Sequence, residues 1–308
     1  MIFPEWRGIY PAITTQFDVH DRVDYNAFFS NLDFQCRANI DGVILCGSLG
    51  EASTLSDDEK TELLRRTVGR IGARIPVVFN IAEQTTRKAA WFAEHAEQIG
   101  ASGLMLLPPM RYKADERETL AFLESVAAAS SLPILLYNNP VDYGIEITMH
   151  MFERLQKLDN VRAVKESTRN PTNVTLLRKA FGNRLSILCG VDTLAFEELV
   201  LGADGWVAGL VNAFPQETVA IYRYIRAGHI DDARAIHEWF LPLLELDLHP
   251  KLVQYIKLAE TIVGVGNERV RAPRLGLEGS ERREIEQIVQ SALEARHALP
   301  TPPLPSYP

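Results

Sequence analysis

Short runs of apolar residues recur along the chain, separated by longer segments whose apolar residues return every three or four positions. The runs are continuous rather than alternating, which is typical of strands buried on both faces of a parallel sheet. Eight such runs lie at residues 8–14, 42–46, 76–80, 103–107, 133–137, 161–165, 185–189 and 205–209. The pattern predicts eight β-strands that alternate with α-helices.

The segments between the runs carry helix signals. Ser56 followed by Glu59 is a capping box, so a helix is expected to begin directly after Ser56. The other predicted helices between strands cover 86–99, 115–130, 148–157, 170–181, 192–201 and 213–227.

An α/β chain that repeats a strand–helix unit about eight times has the pattern of a (β/α)8 TIM barrel. The alternative is an open, doubly wound sheet. The count of eight, and the lack of a Gly-x-Gly-x-x-Gly motif after the first run, favour the barrel. We therefore predict a barrel domain over residues 1–228.

The alternation ends near residue 228. Residues 230–247, 250–264 and 280–297 all have helical spacing, and no linker-like composition separates them. We predict a C-terminal helical region over 229–308 that packs on the barrel. Its acidic stretch, 231–247, is expected to be a solvated helix face, and its proline-rich end to be extended.

Composition excludes several classes of protein. The 308 residues carry a net charge of −8, which argues against nucleic-acid binding. Three scattered cysteines form no disulfide framework, and neither they nor the seven histidines have metal-ligand spacing. No apolar run approaches ~18 residues, and the N-terminus lacks a signal-peptide pattern. We expect a cytoplasmic protein with no membrane contact and no metal site.

Polar residues close three of the eight runs. Catalytic residues of a (β/α)8 barrel lie at the carboxyl ends of its strands. The second run ends in Cys46–Glu51, the fifth in Tyr137–Pro140 and the sixth in Lys165–Ser167. These three segments are therefore expected to meet at one mouth of the barrel.

Lys165 ends a strand that points into an apolar barrel. Burial favours the neutral amine, which is a nucleophile toward carbonyl carbon. Alternatively, its side chain extends to solvent or pairs with Glu166. Tyr137 is either a core residue or a proton carrier beside that amine. The turn at residues 47–50 has glycine at both ends, and its N–H groups can hold a carboxylate.

Taken in order, Gly-Ser-Leu-Gly-Glu at 47–51, Tyr-Asn-Asn-Pro at 137–140 and Val-Lys-Glu-Ser at 164–167 resemble the dihydrodipicolinate synthase / N-acetylneuraminate lyase family. The likeness runs from about residue 7 to 296. It implies a lyase that needs no cofactor and forms a lysine Schiff base with a 2-oxo acid, in a homo-oligomer that is usually a tetramer.

The resemblance also assigns roles to residues. Lys165 matches the Schiff-base lysine, Tyr137 the proton-relaying tyrosine, and Ser48 the hydroxyl that links this tyrosine to the substrate carboxylate. The turn formed by Gly47, Leu49 and Gly50 matches the carboxylate site. The position of Val207 matches one whose backbone carbonyl faces the active site.

Three positions depart from the synthases of the family. Leu49 replaces a hydroxyl residue in the turn. Asp142 replaces an arginine that binds the second substrate's carboxylate, so a dianionic partner should be repelled. Met110 occupies the place of a tyrosine contributed across the dimer, for which Tyr112 is the candidate substitute. Arg111 either meets an anionic substrate or covers a helix.

These departures favour a dehydratase or deaminase of the family. The segments PPMRYKADERET, YNNPVDYG and HPKLVQYIKLAE are similar to members that convert a cyclic imine acid, 1-pyrroline-4-hydroxy-2-carboxylate. The first alternative is a 4-hydroxy-tetrahydrodipicolinate synthase or another pyruvate-dependent aldolase. A second, of another class, is a relative that binds an oxo acid without turnover.

Overall fold

The computed structural model describes residues 2–109 and 112–296. Within these residues, eight parallel strands form one sheet. The strands are β1 Gly8–Pro11, β2 Val43–Leu45, β3 Val77–Ile81, β4 Gly103–Leu106, β5 Ile134–Asn138, β6 Val161–Glu166, β7 Ser186–Cys189 and β8 Gly205–Ala208. All eight fall on the predicted runs.

The first and last strands close the sheet into a barrel. β1 pairs in parallel with β8 over its whole length. On its other side, Ala12 forms a parallel bridge with Ile44, and the Ile13 N–H donates to the Ile44 carbonyl at 3.1 Å. The ring confirms the predicted (β/α)8 barrel and excludes the open sheet.

Helices connect the strands and continue after β8. They are α1 Tyr25–Arg37, α2 Asp57–Ile71, α3 Thr86–Ile99, α4 Glu116–Ala128, α5 Pro140–Tyr143, α6 Met149–Leu155, α7 Thr172–Phe181, α8 Ala195–Val200, α9 Pro215–Arg226, α10 Ile230–Leu244, α11 Leu252–Val263 and α12 Gly279–Ala295. The predicted capping box is present, because the Ser56 side chain accepts the Glu59 N–H and the Glu59 carboxylate accepts the Ser56 N–H.

Helix α1 was absent from the sequence prediction. Asp24 caps it, and Phe28 and Leu32 are buried on its inner face. Asn31 and Gln35 are buried on the same face, where Gln35 Nε2 donates to Asn31 Oδ1 at 2.9 Å. Polar residues at buried positions break the apolar periodicity that identifies a helix in sequence.

The barrel interior holds its own cluster of buried side chains. Residues two apart in a strand point to the same face. Leu135 and Ala163 lie inside this cluster, so Tyr137 and Lys165, two positions further along β5 and β6, also point inward. The strand register places Tyr137 directly beside Lys165.

The C-terminal helices lie against the last barrel helix. The Phe214 and Phe240 rings have centroids 5.6 Å apart in an edge-to-face arrangement. Near the end of the described chain, Arg296 Nε donates to Glu217 Oε1 at 2.6 Å. Between α10 and α11, a short 3₁₀ helix covers Glu245–Leu248.

A buried ion pair joins the C-terminal helices to the barrel. Lys257 of α11 and Glu51, at the end of the 47–51 turn, are both fully buried, and Lys257 Nζ lies 3.0 Å from Glu51 Oε1. The same ammonium donates to the Thr15 carbonyl at 2.8 Å, and the Arg271 N–H donates to Glu51 Oε2 at 3.1 Å. Helix α11 therefore fixes one end of the turn.

Removing one partner of this pair should be strongly destabilising. A Lys257→Met variant removes the cation bonded to the buried Glu51 carboxylate and leaves only Arg274, whose Nη1 lies 3.7 Å from Glu51 Oε2. Breaking a buried pair by removing one partner typically costs about 3–5 kcal/mol. The matched control is Lys251→Met, which breaks the part-exposed pair with Glu281 and should cost at most about 1 kcal/mol. Urea unfolding measures both free energies. Equal losses in the two variants would contradict a structural role for the buried pair.

Candidate active site

The three predicted strand ends meet at one cavity of about 90 Å³ at the carboxyl ends of the strands. Lys165, Tyr137 and Ser48 all line it. The cavity is much smaller than the ~300–1,000 Å³ pockets of drug-sized ligands, so its size fits a small acid.

Lys165 is buried in this cavity, with 7% of the residue exposed. The predicted alternative, a pair with Glu166, does not form among the described contacts. Glu166 instead accepts the Thr168 N–H at 2.8 Å. Burial lowers the pKa of the Lys165 amine, while the Tyr143 hydroxyl and the Asp247 and Asp192 carboxyls act in the opposite direction. A lowered pKa increases the fraction of neutral, nucleophilic amine.

Tyr137 lies directly against the amine. The distance from Lys165 Nζ to the Tyr137 ring centroid is 3.9 Å, a geometry that stabilises a cation on that nitrogen. The Tyr137 hydroxyl accepts from Asn139 Nδ2 at 3.1 Å. Burial raises the pKa of Tyr137 to about 12, so its hydroxyl holds its proton near neutral pH.

Ser48 has a different partner from the one predicted. Its hydroxyl is hydrogen-bonded to the hydroxyl of Tyr143 in the described structure, whereas the prediction linked it to Tyr137. The Tyr143 and Tyr137 rings meet edge to face, with centroids 5.6 Å apart. Tyr143 belongs to the YNNPVDYG motif, but spacing alone does not show that the short α5 helix places its side chain in the cavity.

The turn after β2 is held in a strained shape. Cys46 and Glu51, just before and at the end of the turn, have φ of 57° and 56°, in the left-handed region that side chains disfavour. The Cys46 carbonyl accepts from Asn80 Nδ2 at 2.8 Å, and Glu51 is bound by Lys257. These contacts position the predicted carboxylate site from both ends.

The predicted binding residues of this turn have different surroundings. Gly47 and Leu49 line the cavity. Gly50 does not, and a Cβ there would lie 2.9 Å from the Ile13 carbonyl oxygen. Its glycine is therefore explained by a close backbone contact with the loop after β1.

Of the other predicted residues, Val207 and Asp142 line the cavity. Tyr112 does not line it within its own chain, and 58% of that residue is exposed in the turn before α4. The structure does not bring Tyr112 to the site. Met110 and Arg111 lie outside the described residues.

Asp142 is accompanied by an arginine that the sequence analysis did not select. Arg169, in the loop after β6, also lines the cavity, and its Nη2 lies 3.3 Å from Asp142 Oδ1. The cation offsets the carboxylate charge, so the predicted repulsion of a dianionic partner is weaker than Asp142 alone implies. Arg169 has φ of 62°, again in the left-handed region.

Two further carboxyl groups lie near Lys165. Asp192 follows β7, and its carboxylate accepts from Trp206 Nε1 at 2.8 Å and from the Leu210 N–H at 2.8 Å. Asp247, between α10 and α11, lines the cavity, so the predicted solvated face is wrong at this residue. Asp192 could have been selected from sequence, because it follows the carboxyl end of a strand. Asp247 could not, because only tertiary packing brings it to the cavity.

The described residues contain no group of three or more His, Cys, Asp or Glu side chains arranged to hold a metal ion. In the same part of the chain, no helix is both long and apolar enough to cross a bilayer.

Comparison with known proteins places this geometry in context. A sequence profile of the "Dihydrodipicolinate synthetase family" matches residues 5–292. A 4-hydroxy-tetrahydrodipicolinate synthase from Caldicellulosiruptor saccharolyticus is 29% identical over 273 residues, which is 88% of this chain and 91% of that protein. The enzyme of the same name from Caldicellulosiruptor bescii is 30% identical over 240 residues, covering 78% of this chain and 81% of that protein.

Solved structures show the same likeness. The 4-hydroxy-tetrahydrodipicolinate synthase of Methylacidiphilum fumariolicum superimposes with a TM-score of 0.88 at 29% identity, covering 96% of this chain and 99% of that one. A prophage protein of the dihydrodipicolinic acid synthase family from E. coli K12, solved in complex with pyruvate, gives a TM-score of 0.88 at 25% identity, covering 94% and 99%.

The strained backbone at Arg169 leads to a stability prediction. A non-glycine residue in the left-handed region costs ~1–2 kcal/mol, more than the ~0–1 kcal/mol of an exposed ion pair. Arg169→Gly and Arg169→Ala both remove the pair with Asp142, but only glycine relieves the strain. We expect the glycine variant to be about 1 kcal/mol more stable than the alanine variant in urea unfolding. Equal stabilities would show that the backbone at this position is not strained.

Proposed function

Because this chain belongs to the dihydrodipicolinate synthetase family, whose members are lyases, we propose that Lys165 forms a Schiff base with a small 2-oxo acid. The observation that carries the proposal is the buried Lys165 amine against the Tyr137 ring, in a cavity of matching size. No metal or organic cofactor is needed, since the lysine itself supplies the electron-withdrawing group.

The first half of the reaction follows from these contacts. The neutral Lys165 amine attacks C2 of the oxo acid, and loss of water leaves an iminium ion. The N–H groups of the turn at 48–49 hold the substrate carboxylate and so orient C2 for attack. Tyr137 carries protons between the substrate and the site. Loss of a proton from C3 then gives an enamine, which is the nucleophile for any later step.

For the second half, condensation with an aldehyde is the first candidate. The relatives described above are named 4-hydroxy-tetrahydrodipicolinate synthases, and a related protein binds pyruvate. In such a reaction the enamine attacks aspartate semialdehyde. The cation of Arg169 beside Asp142 reduces the repulsion between Asp142 and the carboxylate of that aldehyde.

Dehydration with deamination of 1-pyrroline-4-hydroxy-2-carboxylate is the second candidate. It is favoured by Asp142 and Leu49, at positions where the synthases of the family carry an arginine and a hydroxyl residue. Comparing kcat/KM for pyruvate plus aspartate semialdehyde with that for the imine acid decides between them. A homo-oligomeric assembly and a cytoplasmic location remain predictions from the family resemblance.

Borohydride trapping tests the Schiff base directly. We expect the purified full-length chain, incubated with pyruvate and then reduced, to gain one reduced pyruvate on the peptide that contains Lys165. Lys165→Arg should abolish the adduct, because its guanidinium does not form the imine. Lys179→Arg, at an exposed lysine in the last turn of α7, is the control and should retain it.

Two trapping results would contradict the proposal. One is the absence of any adduct when the protein is folded and pyruvate is in excess, which would instead support a relative that binds oxo acids without covalent chemistry. The other is an adduct that persists in Lys165→Arg, which would place the reactive amine elsewhere.

A further inference from the structure

Among the described groups that line the cavity, Asp247 is a carboxyl that the first half of the reaction does not use. It comes from the short 3₁₀ helix Glu245–Leu248 of the C-terminal region, so it reaches the barrel mouth from outside the eight βα units. It lies over Gly209, which follows β8, and a Cβ at Gly209 would be 2.5 Å from Asp247 Oδ1. The glycine leaves the space that the carboxyl occupies.

Asp192 also lies against Gly209 and differs from Asp247 in its hydrogen bonds. Both Asp192 oxygens accept the Gly209 N–H at 3.1 Å, and further donors are the Leu210 N–H and Trp206 Nε1. These donors stabilise the ionised form of Asp192, although burial raises its pKa. Asp192 is therefore the member of the pair that is held as a carboxylate.

Asp247 is the member of the pair whose neutral form is favoured. Burial raises the pKa of Asp247 well above its ordinary value, and the Asp192 charge acts in the same direction. The Lys165 cation and the Asp192 backbone N–H act in the opposite direction. Both carboxyl groups lie against Gly209, and neighbouring carboxyl groups do not readily both ionise, so the neutral form of one of them is favoured.

The other acidic groups of the cavity are less suited to give up a proton. Tyr137 has its pKa raised to about 12, and burial also raises that of Tyr143. Asp142 is exposed and already forms an ion pair with Arg169. Asp247 is therefore the carboxylic acid placed to act on a bound substrate.

We propose that Asp247 is a catalytic acid–base residue that serves the oxygen on C4 of the substrate. The inference rests on the proposed Schiff base, in which Lys165 holds C2 and the turn at 48–49 holds C1, so that C3 and C4 extend toward the remaining walls of the small cavity. The substrate class is then a 2-oxo or 2-imino acid that bears, loses or gains a hydroxyl at C4.

The same proton transfer from Asp247 serves both candidate reactions. In dehydration, the enamine electron pair forms the C3–C4 double bond, the C4–O bond breaks, and the Asp247 proton joins the departing hydroxide to give water. In condensation, the enamine C3 attacks the aldehyde carbon, and the Asp247 proton joins the aldehyde oxygen, which becomes the C4 hydroxyl. In each case Asp247 ends as a carboxylate and is reprotonated from solvent.

Asp247→Asn separates the two halves of the reaction. The amide keeps the shape and the neutral charge of the protonated acid, so the environment of Lys165 should change little. Exchange of the C3 hydrogens of pyruvate for deuterium in D₂O needs only the Schiff base and the enamine, and no C4 oxygen. We expect this exchange to stay within about threefold of wild type.

Turnover through C4 should behave differently. With whichever substrate wild type uses, pyruvate plus aspartate semialdehyde or the 4-hydroxy imine acid, we expect kcat of Asp247→Asn to fall by about 10²–10⁴-fold, the usual loss of a general acid. Gly209→Ala, which displaces the Asp247 carboxyl, should show the same split. Asp231→Asn, at a highly exposed position of α10, is the matched control and should leave both rates unchanged.

Each other outcome has a distinct meaning. Equal losses of exchange and of turnover in Asp247→Asn, with its thermal unfolding unchanged, would overturn the inference and assign Asp247 to the Lys165 amine. Unchanged turnover would overturn it as well. If wild type neither exchanges the pyruvate hydrogens nor forms a borohydride adduct, the proposed function itself fails.

Discussion

Burial of a single amine in an apolar barrel is the constraint on which the site depends. Strand periodicity turns Lys165 toward the interior, where water is scarce and the charged form is disfavoured. The Tyr137 ring and the nearby acidic groups act in the opposite direction, because they stabilise a cation on the same nitrogen. An amine that is easily neutral, yet able to carry charge once it becomes an iminium, has the properties that Schiff-base chemistry requires.

The C-terminal region contributes to the site as well as covering the barrel. Lys257 of α11 binds Glu51, and this ion pair fixes the far end of the strained turn after β2. Asp247, in the 3₁₀ helix that precedes α11, forms part of the cavity wall over Gly209. Geometry at the barrel mouth therefore depends on helices that follow the eighth βα unit, and a truncated barrel would lack both contacts.

The strands and the lysine were predictable because their signals are local. Continuous apolar runs identify buried parallel strands, and a lysine at the end of one such run is conspicuous, although only the family resemblance favoured its reactive role over a solvent-exposed one. Helix α1 was missed because Asn31 and Gln35 occupy its buried face, where Gln35 donates to Asn31 and Asn31 donates to the Asn212 carbonyl, contacts that sequence does not reveal.

Other features of the site depend on contacts between residues far apart in the chain. Tyr143, rather than Tyr137, binds Ser48 because α5 turns back over the cavity. Arg169 meets Asp142 from a different loop, and Asp247 arrives from 82 residues beyond Lys165. No periodicity or motif in the sequence predicts these contacts, because they depend on how separate loops pack at the mouth of the barrel.

The most direct test of the buried-amine account is a titration of Lys165 itself. The rate of acetylation at Lys165 can be followed by peptide mass spectrometry across pH, with exposed Lys179 as the internal reference for reagent and solvent. The account predicts that Lys165 reactivity reaches its plateau at a pH below the ordinary lysine value of ~10.4, because burial favours the neutral amine. A plateau at or above that value would contradict it.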